Sequence, residues 1–309
     1  MWTRIAVAQP GVAVVVLNYH RFLDTRECLS SVFASADPSV RVILLDLGSS
    51  SDQLASLQGT HPRLQVVPLS ENRGYAGNNN IGVRLALDQG ADWVLLLNED
   101  TRIDPRCMAE LMAAVEARPN AGVVGPLVCH YDSPAVIQSS GGRLDARWRS
   151  FHLSQDEPDR GQLTEVRQVD WVAGCAMQMR RGLIERIGLL DERFFNYWEE
   201  TEFCLRARRN GWEILNAPRA KVWHKGGRAG RPVDPSVGYY MTRNRFLFLA
   251  RHRAPLSAWI TAWAETLRTL AAMTARPNSP ATAAHRAAVT QGIRDFLRQR
   301  GGPMPLARR

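Results

Sequence analysis

Two patterns alternate along the first half of this chain, and they constrain its fold more than any other feature. Short, nearly continuous apolar segments, each closing on polar residues, alternate with segments of helical spacing. Residues 12–17 (VAVVVL) end at Asn18-Tyr19, and 23–34 then carries Leu23, Cys28, Leu29, Val32 and Phe33 at helical spacing. Residues 40–45 end at Asp46, 64–69 form a third strand broken by Pro68, and 93–97 (WVLLL) end at Asn98-Glu99-Asp100. Residues 76–87 read as a helix, Pro105 opens another to Glu116, and 122–128 is a further strand. Apolar strands without alternation are buried on both faces. The repeat therefore predicts an α/β fold, a mostly parallel sheet with helices on both faces. Ligands of such sheets bind beyond the carboxyl ends of the strands, where Asn18, Asp46, Asn98 and Asp100 fall.

The second half is less regular. Residues 132–168 are polar and read as loop or short strands, and 169–179 is an apolar run containing Gly174. Residues 199–209 read as a helix stopped by Asn210-Gly211. Residues 212–216 and 220–223 are two short strands. Residues 226–236 (GGRAGRPVDPS) suit a mobile lid, and 237–253, 256–273 and 281–300 are helices separated by prolines. The expected division is a catalytic domain over 1–236 and a helical, basic region over 237–309.

The net charge of +9 is uneven: residues 217–309 hold 17 lysines and arginines against Asp234, Glu265 and Asp295, while the rest is net acidic. This balance points to an anionic partner such as lipid headgroups, a phosphorylated acceptor or nucleic acid, unless it reflects arginine-rich composition alone. In 256–273, Trp259, Ile260, Trp263, Leu267 and Leu270 recur at helical spacing. They suit a headgroup interface, packing on the protein's own core, or a homodimer contact. Five cysteines, none at C-x-x-C spacing, argue against a structural zinc site or a disulfide framework and fit a reducing cytosol. With neither a signal-like apolar segment nor a bilayer-length apolar run, the expected location is cytoplasmic, with room for peripheral contact with the inner face of the membrane.

Four constellations carry chemistry. Asp100 ends a strong strand, where a carboxylate can hold a divalent cation beside a phosphate. Gly74 to Asn80 (GYAGNNN) opens a helix, and its glycines allow close approach of a bound group to backbone N–H groups. Glu199, Glu200 and Glu202 follow the aromatic run Phe194 to Trp198, which could desolvate a carboxylate into a useful base. His224 precedes the glycine-rich segment, where it suits a metal or diphosphate contact.

In this order, VAVVVLNYHR, LLDLGSSSD, ENRGYAGNNNIG, WVLLLNEDT, DWVAGCAMQMRR, GLLDERFFNYWEETEFCLRARRNGW and VWHKGG resemble family 2 glycosyltransferases of the GT-A fold, particularly rhamnosyltransferase-like members. The resemblance covers about residues 12–250 and implies a GT-A domain with a helical C-terminal extension. It implies metal-dependent, inverting transfer of a sugar, rhamnose or another hexose, from a nucleoside-diphosphate sugar. The acceptor would be a hydroxyl of a glycan, lipid-linked molecule or small molecule, as in cell-wall or polysaccharide synthesis. By position, Asp46 would contact the nucleoside base with Asn18 beside it, and Gly74 and Asn80 would approach the donor. Asn98 would face the ribose, and Asp100 and His224 would hold Mg²⁺ or Mn²⁺. Gly174 and Cys175 would lie near donor sugar and acceptor, and Glu200 would be the general base with Glu199 its partner. Leu47 after Asp46, Asn98 in place of the first aspartate of D-x-D, and glutamate at 200 depart from the usual pattern.

Two rival readings fare worse. A nucleotidyltransferase needs a glycine-rich basic loop after the first strand, and Asn18-Tyr19-His20-Arg21 is not one. A non-catalytic nucleic-acid- or anion-binding protein would use the basic third but leave the carboxylates without a task. Nucleic acid is therefore not an expected partner.

Overall fold

In a computed structural model, which describes residues 11–35, 40–116, 118–226, 234–275 and 279–305, the first apolar run forms β1 (Val12–Tyr19). After it come α1 (Phe22–Phe33), β2 (Arg41–Leu47), α2 (Ser51–Leu57), β3 (Leu64–Pro68), α3 (Gly74–Asp88) and β4 (Trp93–Asn98). The apolar pattern did not reveal α2. Its signal is local: the Ser50 hydroxyl accepts from the Gln53 amide at 3.3 Å while Gln53 Oε1 accepts from the Ser50 amide at 2.9 Å. β1 lies between β2 and β4, parallel to both, with Asn18 opposite Asp46 and Leu17 opposite Asn98. The register thus carries the polar strand ends to one edge.

Next come β5 (Thr101–Ile103), α4 (Cys107–Glu116), β6 (Ala121–His130), β7 (Ile137–Ser139), β8 (Gly142–Leu144), β9 (Ser150–His152) and β10 (Arg167–Gln168). The chain continues through β11 (Ala176–Arg180), α5 (Arg181–Ile187), α6 (Glu199–Arg209), β12 (Glu213–His224), α7 (Pro235–Arg251), α8 (Leu256–Ala275) and α9 (Pro280–Leu297). The main sheet runs β10-β12-β6-β11-β4-β1-β2-β3. It is mixed: β11 enters antiparallel between β4 and β6, and β6 is parallel to β12.

One expectation changes in detail. In the apolar run 169–179, Val169, Trp171 and Val172 are buried core and regular pairing starts at Ala176. The two short strands expected at 212–216 and 220–223 are one strand, with a register break between Ala217 and Lys221.

Alternate residues of the central strands feed opposite faces. Val14, Val16, Leu44 and Leu95 pack with Leu29 and Val32 of α1 and Leu111 of α4. Val15, Leu45, Val94 and Leu96 pack with Val83 of α3, Leu183 of α5 and Phe203 of α6. Where α3 crosses β1 only glycine fits, since a β-carbon on Gly82 would lie 2.3 Å from Val15 Cγ1.

The C-terminal helices continue this core. Phe194 and Trp198 cluster with Phe246, Phe248, Leu249, Ala258 and Ala262. Side chains from both sides of position 236 thus share one cluster. Helix α8 is split lengthwise. Trp259 and Trp263 turn inward, with ring centroids 6.1 and 4.5 Å from that of Phe246. Leu256, Ile260 and Leu267 face outward, 73%, 60% and 56% exposed. The tryptophans thus pack on the core rather than stand at a headgroup interface. Among the described residues no helix is long and apolar enough to cross a membrane. All five cysteines are free and buried. Of the lid expected over 226–236, residues 227–233 lie outside the described residues.

Candidate active site

The sheet edge begins at Asn18. It is fully buried, and its amide donates to Asp46 Oδ1 at 2.5 Å and to Ser49 Oγ at 3.0 Å. Its Oδ1 accepts from the Arg21 amide at 3.0 Å and from Thr25 Oγ1 at 2.9 Å. One side chain thus ties the exit of β1, the start of α1 and the exit of β2. Asp46 is equally inward, accepting from Ser49 Oγ at 2.6 Å. Beside this knot His20 takes a left-handed φ of 56° and lies over Gly48, whose own φ is 103°. A β-carbon on Gly48 would fall 2.1 Å from the imidazole Nδ1. A cavity of about 490 Å³ opens here, lined by His20, Arg21, Phe22, Asp24, Gly48 and Ser49 among others.

Strand ends β4 and β12 supply the second group. Asp100 Oδ1 is 3.2 Å from His224 Nε2, and Arg21 Nη1 is 3.2 Å from Asp100 Oδ2. Gln138 orients the histidine. Its Nε2 donates to the Gly226 carbonyl at 2.7 Å, which leaves Oε1 to accept from His224 Nδ1 at 2.8 Å and aims Nε2 at Asp100. Burial alone would raise the Asp100 carboxyl, but the hydrogen bond and charge of His224, with Arg21, hold it below its ordinary value. Burial works against charging His224, yet Cys175 and Asp100 beside it keep the imidazole well above its usual range. Glu99 is pushed up to about 7, by burial first and by the Asp100 charge second. Among the described residues no group of three or more His, Cys, Asp or Glu gathers as a closed metal site.

A cavity of about 360 Å³ joins this group to α6. Asn98, Gly174, Cys175, Glu199, Glu200 and His224 all line it. Tyr75 closes one side, its hydroxyl donating to the Gly174 carbonyl at 2.5 Å. Burial, and then the neighbouring Glu200 charge, push the Glu199 carboxyl well up, and its Oε2 has no hydrogen-bond partner. Glu200 is also raised by burial, but Thr201 Oγ1 donates to its Oε1 at 3.0 Å. Burial thus raises both carboxyls, and the two differ in their contacts: Glu200 is held by Thr201, whereas Glu199 Oε2 is unpartnered. Glu202 is a different kind of residue. Despite burial it is held below its ordinary value by His252 and by Arg206, whose Nη2 lies 2.9 Å away, so it is an ion-paired core group.

The structure thus brings together Asn98, Gly174, Cys175, Glu199, Glu200 and His224, with Asp100 against His224. Gly74 and Asn80 do not line this cavity. Gly74 (φ 73°) is packed against Phe195, where a β-carbon would meet the Phe195 carbonyl at 2.3 Å. Asn80 spends its amide on the Leu190 carbonyl and Glu192 Oε1, each at 3.0 Å, and its Oδ1 on the Leu190 amide. Both knit α3 to the segment before α6. Part of the positive charge in 217–309 is likewise internal, with Arg245 on Glu265 at 2.7 Å and Lys225 on Asp24 at 2.9 Å. Arg21, Tyr75 and Gln138 went unnoticed in the sequence. Arg21 follows the first strand end, a signal that could have found it, whereas Gln138 sits in a stretch without periodicity.

Residues 13–188 match the family model for glycosyl transferase family 2. The chain is a family 2 glycosyltransferase. It is 30% identical over 247 residues to a low-salt glycan biosynthesis hexosyltransferase, Agl10, of Haloferax volcanii, covering 76% of this chain and 74% of that one. It is 29% identical over 271 residues to the N-acetylglucosaminyl-diphospho-decaprenol L-rhamnosyltransferase of Mycobacterium tuberculosis, covering 79% and 87%. The mannosyltransferase PcManGT of Pyrobaculum calidifontis, solved with GDP-Man and Mn²⁺, has the same fold, with a TM-score of 0.58 at 16% identity over 94% of this chain and 88% of that one. The transferase therefore has the GT-A fold.

The raised value of Glu199 predicts a bound proton at neutral pH. One component of the protonated-carboxyl infrared band is expected to disappear in Glu199→Gln, leaving that of Glu99. Because the folded value is raised, this group's contribution to stability is complete below the ordinary carboxylate range and is lost as pH rises through the folded value. Glu199→Gln should therefore flatten the loss of stability as pH rises above the ordinary carboxylate range. An unchanged spectrum and an unchanged stability profile would refute the assignment.

Proposed function

We propose that the transferase moves a hexose, rhamnose or another, from a nucleoside-diphosphate sugar to a hydroxyl of a glycan or lipid-linked acceptor, with inversion and with Glu200 as general base. The observation that carries this reading is the place of the pair on α6: Glu200 and Glu199 line the same cavity as Asn98 and His224, and burial raises both carboxyls. A carboxylate raised by burial but still charged suits removal of a hydroxyl proton. The acceptor oxygen gives its proton to Glu200 as it forms a bond to the anomeric carbon. The bond from that carbon to the nucleoside diphosphate breaks, and its electron pair leaves on the phosphate oxygen. Glu199, whose carboxyl is the one with an unpartnered buried oxygen, would hold a proton and so add no second charge beside the attacking oxygen. For the donor, the cavity beside Gly48 and Ser49, which Asp46 backs through Ser49, would take the nucleoside, and Asn98, which lines the cavity with His224, would face the ribose.

The donor set at Asp100 and His224 fits a divalent cation, Mg²⁺ or Mn²⁺. One carboxylate and one imidazole leave most coordination positions to phosphate oxygens and water, as is usual for Mg²⁺ beside nucleotides. Gln138 accepts from His224 Nδ1, so Nε2 is the atom that would face the ion once its proton is released. Such an ion would neutralise the charge that develops on the leaving diphosphate. Arg21, on Asp100 Oδ2, adds a fixed positive charge at the same place.

The outer face of α8 supports peripheral contact with an anionic bilayer, because Leu256, Ile260 and Leu267 stand exposed on a helix that itself carries only Glu265 and Arg268 but lies within the basic stretch 217–309. A relative named for a decaprenol-linked acceptor agrees with this placement.

Glu200→Gln should lower kcat by about 10²–10⁴-fold with nucleoside-diphosphate affinity nearly unchanged. Asp100→Ala, or excess chelator, should weaken that affinity and abolish transfer. Full activity of either variant would overturn its assigned role. Wild-type protein should co-sediment with anionic but not neutral phospholipid vesicles, and Ile260→Lys with Leu267→Lys should release it. Protein that stays in the supernatant with anionic vesicles at low salt would overturn the bilayer contact.

A further inference from the structure

The segment leading into α6 is held in a conformation its residues do not favour. Phe195, Tyr197 and Trp198 have φ of 64°, 68° and 74°, three left-handed non-glycine residues in the four before Glu199. In that region the β-carbon crowds the following carbonyl, and such conformations persist only where the surroundings impose them. The carboxylates of Glu199 and Glu200 inherit their direction from this segment.

What imposes it is a pair of polar residues in the middle of α7. Asn244, fully buried, directs its amide nitrogen to the carbonyls of Phe194, Asn196 and Tyr197, each at 2.8 Å. Arg243, 1% exposed, donates to the carbonyls of Phe194 at 2.8 Å and Arg193 at 3.1 Å. Its Nε donates to Asn244 Oδ1 at 2.9 Å, which fixes the amide so that the NH₂ faces the segment. Arg243 is itself oriented by the Tyr239 hydroxyl at 3.1 Å, and that hydroxyl donates to the buried Asp295 of α9 at 2.9 Å. The segment is gripped from its other side by α3, where the Ala76 amide donates to the Phe195 carbonyl at 3.2 Å.

We infer that Arg243 and Asn244 are positioning residues for transfer: through the carbonyls of 193–197 they set the direction in which the Glu199–Glu200 pair enters the cavity. Neither lines that cavity. The C-terminal helices are thereby part of the catalytic apparatus rather than an appendage to it. The inference rests on the reading of Glu200 as base.

A purely structural role would lower stability and leave transfer by the folded fraction alone, so the test separates the two. Asn244→Asp has the same shape but no donor, and Asn244→Ser is a shorter, weaker clamp. In either variant that folds, judged by circular dichroism, kcat should fall on the order of 10²-fold, the cost of a small misplacement of a reacting group. Nucleoside-diphosphate affinity should stay near that of the wild type. The decisive arm is a double-mutant cycle: in a Glu200→Gln background the same Asn244 substitution should change kcat little, since the group it aims has gone. Tyr239→Phe, which removes only a hydroxyl, covers the case in which the Asn244 variants do not fold. It should lower kcat several-fold, and that loss should vanish in Glu200→Gln. Losses that multiply in the double variants, or a folded variant with wild-type kcat, would overturn the inference. Failure of the base assignment looks different: Glu200→Gln would keep its rate before Asn244 is altered, and the cycle run with Glu199→Gln would then decide the positioning role.

Discussion

The parallel register of β1 with β2 and β4 is the constraint on which the site depends. It sets Asn18 level with Asp46 and Leu17 level with Asn98, so every chain reversal that can carry a ligand leaves the sheet at one edge. A polar edge inside a protein must be satisfied, and Asn18 does most of that work, bonding to Asp46, Ser49, Thr25 and the Arg21 amide. Arg21, held at the start of α1 by that last bond, then reaches Asp100. Loss of the Asn18 amide would leave several buried partners unpaired at once, a large cost for a single side chain.

The second half meets this edge from the other side. Strand β11 enters antiparallel to β4 and so brings Gly174 and Cys175 to the ends where β4 delivers Asn98. Strand β12, parallel to β6, carries His224 to the same region. Helix α6 then presents Glu199 and Glu200, and α7 grips the turn before it. The cavity is therefore a joint product of a nucleotide-binding sheet and a helical segment distant in sequence. It lies at the level where strands of both directions end.

Much of this was legible in the sequence because burial on both faces writes a simple signal. The parallel strands and α1, α3, α4, α6 and all three C-terminal helices follow from uninterrupted apolar runs and helical spacing. The short elements did not: α2 depends on a capping box and β7–β10 on tertiary pairing, neither of which has a period. In the site, Glu199, Glu200 and His224 stand out in the sequence by type and place, and the structure sets them around one cavity. The packing contacts of Gly74 and Asn80 are not legible there, because a glycine needed for close packing and one needed for a ligand look alike in sequence. The Arg243–Asn244 pair left a faint trace, two polar residues within the otherwise apolar face of α7, whose meaning depends on a segment some fifty positions earlier.

Electrostatics divide the cavity into two regions. Arg21 and His224 gather at Asp100, where a diphosphate would leave, and the two buried carboxyls of α6 stand where an attacking hydroxyl would arrive. That separation is what a single displacement requires, with a base on one side of the anomeric carbon and a stabilised leaving group on the other. The most direct test is the anomeric configuration of the first product, read by proton NMR before any mutarotation, with a nucleoside-diphosphate hexose as donor. The account predicts inversion. A product that retains the donor's configuration would contradict it.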